Sequence, residues 1–269
     1  PSPGDDLDVA GTGAIGFARS TNPLLTVGGS AGTDGGAAQE VTYAISVVNG
    51  TYSGVQTTGG TQIFLYNGTG AAVGLVLGRV GTEGGASDSP NGSGTVAFAL
   101  AANSATGEVY LAQYLSLLHP TPGTSYDETM TLAEGSVQMS ATRTDGDGDT
   151  ATDGDNNIGL LIKFDDDGPT LTAVTSTTAS VRHDETPGVQ ADTDVAGGDF
   201  ISGGSGPTVA SLFTNVPSPG DDLDVAGTGA IGFARSTNPL LTITGGNSGA
   251  DGPAGQDVTY AISVVNGTY

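Results

Sequence analysis

The most constraining feature of this chain is a long-range repeat. Residues 1–26 read PSPGDDLDVAGTGAIGFARSTNPLLT, and residues 217–242 are identical to them. The segment VTYAISVVNGTY occupies residues 41–52 and occurs again at 258–269, with one residue inserted in between. The chain therefore carries a tandem repeat with a period of about 216 residues. Tandem units of this kind build extended molecules, because each unit contacts mainly its neighbours.

The charge balance excludes several classes of partner. The chain has 29 Asp and Glu against 6 Lys and Arg, a net charge of −23. Nucleic acids and anionic lipids bind through clustered Lys and Arg, so we expect no nucleic-acid partner.

No apolar run approaches the roughly 18–20 residues of a membrane span, so we expect no membrane insertion. Without cysteine, neither disulfides nor thiolate metal sites can offset the repulsion between the carboxylates.

Short apolar segments separated by Gly, Asn, Asp and Ser predict an all-β fold. The 46 glycines and 13 prolines disfavour helices, and several segments alternate apolar and polar residues as half-buried strands do. We predict strands at residues 14–19, 24–27, 41–48, 62–66, 73–80, 95–101, 108–118, 129–132, 136–143, 158–164, 170–175 and 179–181. About a dozen short strands in each period favour a β-sandwich.

The boundary between repeat units is predicted where a charged run ends in a Gly-Pro turn. Asp165, Asp166 and Asp167 follow a predicted strand and precede Gly168 and Pro169. In this division, residues 1–167 form the later part of one repeat unit and residues 168–169 form the junction. Residues 170–269 then form the first part of the next unit.

An acidic stretch at residues 144–157 is the strongest candidate for a metal site. Its carboxylates alternate with small residues, which allows a tight inter-strand loop to turn several oxygens toward one centre, as Ca²⁺ requires. The predicted ligands are Asp145, Asp147, Asp149, Asp153 and Asp155. A helix-loop-helix calcium site is excluded by Thr150 and Asn156, which replace the required Gly and Glu. A solvated Asp-Gly turn is the alternative.

A second predicted calcium site lies at the unit boundary. If the following strand returns to the junction, Asp184 and Glu185 would join the triple Asp at 165–167 and bind an ion shared by two units. The alternative is a charged, flexible linker.

No motif supports an enzyme. Residues 11–16 match G-x-G-x-x-G, but Pro23 ends any helix that could receive a pyrophosphate. Residues 28–32 match the hydrolase motif G-x-S-x-G, yet the second copy at 245–249 reads GGNSG, which breaks it. The predicted cofactor is Ca²⁺ alone.

The acidic and boundary motifs together resemble the extender repeats of giant bacterial repeats-in-toxin (RTX) adhesins. The resemblance covers essentially the whole chain, through residues 110–114 (YLAQY), 118–120 (LHP), 141–151 (ATRTDGDGDTA), 158–164 (IGLLIKF), 166–169 (DDGP) and 181–185 (VRHDE). It implies tandem immunoglobulin-like β-sandwich repeats, calcium at loops and junctions, type I secretion and a bacterial cell-surface or extracellular location. The nonapeptide G-G-x-G-x-D of that family's calcium β-roll is absent from this sequence.

We therefore expect a non-enzymatic structural extender of a fibre or surface adhesin, stiffened by calcium and supporting attachment or biofilm formation. Its partners would be neighbouring repeats. The repeats would lie either along one giant polypeptide or in subunits that exchange strands. The alternative function is a weak, calcium-dependent carbohydrate-binding module that gains avidity from repetition, with glycans or other surface components as partners.

Overall fold

The computed structural model describes residues 13–84, 87–121, 128–186, 188–190, 193–201, 204–217, 230–249 and 258–263. The chain is divided into two compact units. Unit 1 comprises Pro1–Pro169 and Ser248–Tyr269, and unit 2 comprises Thr170–Asn247. The regular elements of the described residues are antiparallel strands and short 3-10 turns, so the predicted all-β class is confirmed. Within those residues, no helix has the length and apolar character needed to cross a membrane.

The described residues of unit 1 form eleven strands in three sheets. They are β1 (Gly16–Arg19), β2 (Gly36–Ser46), β3 (Thr51–Gln56), β4 (Gln62–Asn67), β5 (Leu75–Val80), β6 (Val96–Ala102), β7 (Val109–Gln113), β8 (Thr129–Thr131), β9 (Gln138–Asp145), β10 (Thr150–Asn157) and β11 (Lys163–Asp165). The sheets have the strand orders β1-β7-β6-β5-β4-β3, β10-β9-β2 and β11-β8. Their pairings are all antiparallel.

One hydrophobic core joins the two larger sheets of unit 1 into a sandwich. Ile63 and Leu65 of β4 and Phe98 of β6 meet Ile45 of β2 and Met139 of β9 in a single cluster. The period-two pattern of β9 explains its contribution: Met139 is fully buried, while its neighbours along the strand are half-exposed. This core places the β9–β10 hairpin, which carries the acidic stretch, at the edge of the sandwich.

The part of unit 2 that the structure describes forms two small antiparallel pairs. Strand β12 (Thr170–Thr175) pairs with β15 (Leu241–Asn247), and β13 (Asp194–Val195) pairs with β14 (Phe233–Ala234). A 3-10 turn at Val209–Phe213 packs on β14, with the Phe213 and Phe233 rings 5.7 Å apart. The core of this unit is small: few of its described hydrophobic side chains are buried.

Several strand predictions were wrong in detail. Residues 24–27 and 179–181 are not strands, although both segments are apolar. Residues 150–157, predicted as part of a loop, form strand β10, because their backbone continues the ladder with β9. The predicted strand at 158–164 begins with a 3-10 turn at Gly159–Leu161, and only Lys163–Asp165 is extended.

Candidate metal centre

The turn between β9 and β10 is organised around the Asp145 side chain. Asp145 Oδ1 accepts hydrogen bonds from the backbone N–H groups of Gly148, at 3.1 Å, and Asp149, at 2.8 Å. The Asp145 N–H donates to the Asp149 carbonyl oxygen at 3.0 Å and closes the hairpin. Gly148 adopts a φ of 98°, which strongly favours glycine. The DGDGD sequence is therefore a tight turn in which backbone N–H groups donate hydrogen bonds to the Asp145 carboxylate.

A third carboxylate reaches this turn from a distant part of the chain. One carboxylate oxygen from each of Asp34, Asp145 and Asp147 lies within 4.8 Å of the other two. Asp34 comes close because Gly36, at the start of β2, pairs in register with Asp145. Gly146 completes the approach, since a Cβ there would clash with the Asp34 carbonyl oxygen. The β2–β9 pairing and one glycine-dependent backbone approach thus bring together carboxylates from segments that are more than 100 residues apart.

Hydrogen bonds lower the pKa of Asp145. A hydrogen bond with the Asp147 side chain lowers the pKa of Asp145, partial desolvation opposes the shift, and the backbone N–H groups of the turn lower the pKa further. Arg143, two residues earlier, is engaged elsewhere: it donates to the Glu40 carboxylate and, at 2.9 Å, to the Gly28 carbonyl oxygen. The donors at this centre are hard carboxylate oxygens, which suit Ca²⁺ or Mg²⁺.

Comparison with known proteins places most of unit 1 in one family. The model of the Domain of unknown function (DUF5801) matches residues 5–159, more than half of the chain. The chain belongs to the DUF5801 family. No curated protein and no solved structure matches it. The DUF5801 match includes all three carboxylates of the centre and ends before the triple Asp at 165–167.

Two further predicted ligands in the DUF5801 domain, Asp149 and Asp153, are not members of this group. Asp149 closes the turn through its backbone, and its carboxylate does not belong to the group of three. Asp153 lies on β10, where its Oδ1 is 3.4 Å from Asn156 Nδ2. The side chain of Asp155 is outside the described part of the structure. The calcium loop predicted over residues 144–157 is therefore a short turn followed by a strand, because Thr150–Asn157 pairs with β9.

The triple Asp follows β11 at the end of the β8–β11 pair. Asp165 Oδ1 accepts a hydrogen bond from Thr129 Oγ1 at 2.6 Å, and Asp166 N–H donates to the Glu128 carbonyl oxygen at 3.0 Å. Because paired antiparallel residues share a face, Asp166 and Glu128 lie on the same face as Phe164 and the core. Asp167 donates its backbone N–H to Asp166 Oδ1 at 3.0 Å.

This end of unit 1 also carries buried polar atoms that sequence reasoning missed. Both Glu128 carboxylate oxygens and His119 Nδ1 are buried and make no hydrogen bond with a described residue. His119 Nε2 lies 3.9 Å from Asp166 Oδ1, and the two side chains are only 10% and 12% exposed. Buried polar groups normally have a partner, so this end of the core has capacity for water or a cation. Glu128 has no sequence signal of its own, since it lies outside the acidic runs.

The remaining predicted ligands belong to unit 2. Thr186 donates its backbone N–H to Asp184 Oδ1 at 2.8 Å, and hydrogen bonds from Thr186 are the main cause of the lowered pKa of Asp184. Glu185 is exposed. Asp194 accepts from the Asp184 N–H at 3.2 Å and lies 3.0 Å from His183 Nδ1. The predicted sharing of an ion between these residues and the triple Asp stays a prediction.

Proposed function

We propose that this chain is a non-enzymatic extender of a bacterial surface fibre or adhesin, in which tandem β-sandwich units are stiffened by calcium. The observation that carries the proposal is the return of residues 1–26, without a single change, at 217–242. Identical tandem units add length rather than a new specificity. The resemblance to RTX extender repeats supports an extracellular location, type I secretion and a role in attachment or biofilm formation.

Calcium is proposed because the fold gathers carboxylates that repel one another without a cation. Asp34, Asp145 and Asp147 supply one set of oxygens, and the buried Glu128 carboxylate, which makes no hydrogen bond with a described residue, is a second candidate. At a net charge of −23, an unbound chain is extended by self-repulsion. In the low calcium of a cell the chain would stay loose and exportable. In millimolar extracellular calcium, ion binding would become folding free energy.

The test measures stability and shape with and without calcium. For a site with a Kd of about 1 mM, 10 mM Ca²⁺ stabilises the fold by about 1.4 kcal/mol, and two such sites give about twice that. We expect the urea midpoint to rise and small-angle scattering to show a smaller radius of gyration in 10 mM CaCl₂ than in chelator. Sodium chloride of equal ionic strength is the control for charge screening.

Two matched variants locate the ion. Asp147→Asn removes a carboxylate of the group of three, whereas Asp149→Asn removes one from the same turn that is outside the group. We expect the calcium-induced shift to fall in Asp147→Asn and to persist in Asp149→Asn. Equal stability and equal size in calcium and in chelator would end the calcium proposal.

A further inference from the structure

The repeated segment has the same sequence in two different structural environments. In unit 1 its first copy contributes β1, and in unit 2 its second copy contributes β14 and the start of β15. Arg19 corresponds to Arg235, Phe17 to Phe233 and Gly16 to Gly232. Because the residues are identical, any difference in pairing or exposure arises from the segments around each copy.

The two copies pair through opposite edges of the same strand. In unit 1, the N–H of Ser20, directly after β1, donates to the Val109 carbonyl oxygen at 2.9 Å, next to β7. In unit 2, the N–H of Arg235 donates to the Thr193 carbonyl oxygen at 2.9 Å, next to β13. Successive backbone N–H groups of a strand point to opposite edges, so the N–H group of Arg19 points away from β7. β1 is the last strand of its sheet. Its outer edge is the edge that pairs with β13 in the second copy.

Corresponding positions are less closely packed in the first copy than in the second. Phe17 is 61% exposed, whereas Phe233 is half-buried against Phe213. A Cβ at Gly232 would clash with the His183 ring, while a Cβ at Gly16 would meet nothing within 4 Å. Glycine is therefore needed at this position only when a His183-like ring lies beside it.

Residues 25–30 show the same contrast. Their counterparts lie in β15, which pairs with β12 over its whole length. In unit 1, residues 25–30 form no strand, and none of their backbone N–H groups donates to a residue that the structure describes. The residue inserted in the second copy, Thr244, lies at the register shift opposite Thr172 and Ala173. Removing Thr244 removes the bulge, so residues 25–30 could pair with a β12 sequence in continuous register.

We propose that the outer edge of β1 and residues 25–30 form a docking site for a further copy of residues 170–216, as a tandem repeat placed before residue 1 would supply. The 47 residues 170–216 and the 169 residues 1–169 together equal the 216-residue period. Because the compact units divide between Pro169 and Thr170, a complete unit in this proposal begins at Thr170 of one period and ends at Pro169 of the next. In this proposal, the β13 sequence of the preceding copy pairs with the outer edge of β1, and its β12 sequence pairs with residues 25–30. This inference uses the tandem arrangement of the proposed function but not calcium.

The experiment adds the proposed partner to the 269-residue chain. Residues 170–216 are fused directly before residue 1 of the 269-residue protein, and a matched fusion carries the same 47 residues in scrambled order. Amide hydrogen exchange is measured in chelator and in calcium. We expect exchange at Arg19 and at residues 25–30 to slow at least about tenfold with the native extension and to stay unchanged with the scrambled one. Equal exchange in the two fusions would overturn the proposal.

A pair of surface variants tests the contact itself. Because Phe17 is exposed in the unextended chain, Phe17→Ser should leave the fold and the amide exchange of that chain unchanged. In the chain extended by residues 170–216, the same substitution should reverse the slowing of exchange at Arg19. Leu160→Ser, at another exposed apolar site, is the control and should have no effect. Concentration-dependent dimers of the unextended chain with the same amides protected would assign the occupant to a second molecule and overturn the tandem form. Because the readout is independent of calcium, failure here leaves the calcium proposal standing.

Discussion

The packing of Phe98 against Gly78 makes a quantitative prediction about the core of unit 1. The two residues are paired across β5 and β6, and Phe98 is fully buried with its ring 5.2 Å from that of Phe164. A Cβ at position 78 would lie 2.5 Å from Cε1 and Cζ of Phe98. Since ordinary contact begins at 3.4 Å, Gly78→Ala forces the ring to move by roughly 1 Å in a close-packed interior.

These distances set the expected free energies of unfolding. Gly78→Ala should cost about 1–3 kcal/mol through overpacking, and Phe98→Ala should cost about 3–5 kcal/mol through the lost ring and the cavity. In the double variant the clash is absent, and the new methyl group fills part of the cavity. The double variant should therefore be no less stable than Phe98→Ala alone, which corresponds to a coupling of about 1–3 kcal/mol.

Native-state hydrogen exchange of the β5 and β6 amides is the appropriate assay, because the chain has two compact units and a single global transition is not assured. Gly154→Ala is the control: a Cβ there meets nothing within 4 Å, so its effect should stay within about 0.5 kcal/mol. If the losses of Gly78→Ala and Phe98→Ala simply add, the ring does not lie over the glycine and the packing argument fails.

Three further predictions concern single groups. Gly146→Ala should weaken calcium binding about fivefold in a titration, since it pushes Asp34 away from the turn; unchanged affinity would exclude Asp34 as a ligand. Ser53→Ala should cost about 1–3 kcal/mol in urea unfolding, because buried Ser53 Oγ donates to the Ile63 carbonyl oxygen at 2.6 Å and accepts from the Val55 N–H at 3.3 Å; a neutral result would contradict these bonds. The hydrogen bond with His183 is the main cause of the lowered pKa of buried Asp194. The Asp194 carboxylate therefore stabilises unit 2 at pH values above its unfolded pKa of about 3.9. This contribution is lost as the pH falls through the lower pKa of the folded state. An NMR titration of the Asp194 carboxyl carbon should give a pKa below that of the same carboxyl in the unfolded chain, and a pKa at or above the unfolded value would refute the assignment.

The candidate site was only partly predictable. Asp145 and Asp147 stand out because acidic residues alternate with glycine, which is a local signal. Asp34 has no such signal, since its approach depends on the pairing of β2 with β9 over more than 100 residues. If the alternating pattern of residues 137–140 and the β2 sequence had been used to predict that pairing, Asp34 would have been placed beside the turn. Asp153 was expected in a loop but lies in strand β10, because Thr150–Asn157 pairs with β9; its role as a ligand stays a prediction.

The amino-acid order by itself determines the repeat, the charge and the all-β character, because identity, composition and two-residue periodicity are local properties of the chain. Tertiary structure alone decides which carboxylates meet and which edge of a strand is used. The identical copies demonstrate the reason: Phe17 and Phe233 have the same sequence neighbours, yet one is exposed and the other is packed against Phe213. A strand offers hydrogen-bonding groups along both edges, and only the segments folded beside it determine which edge is filled.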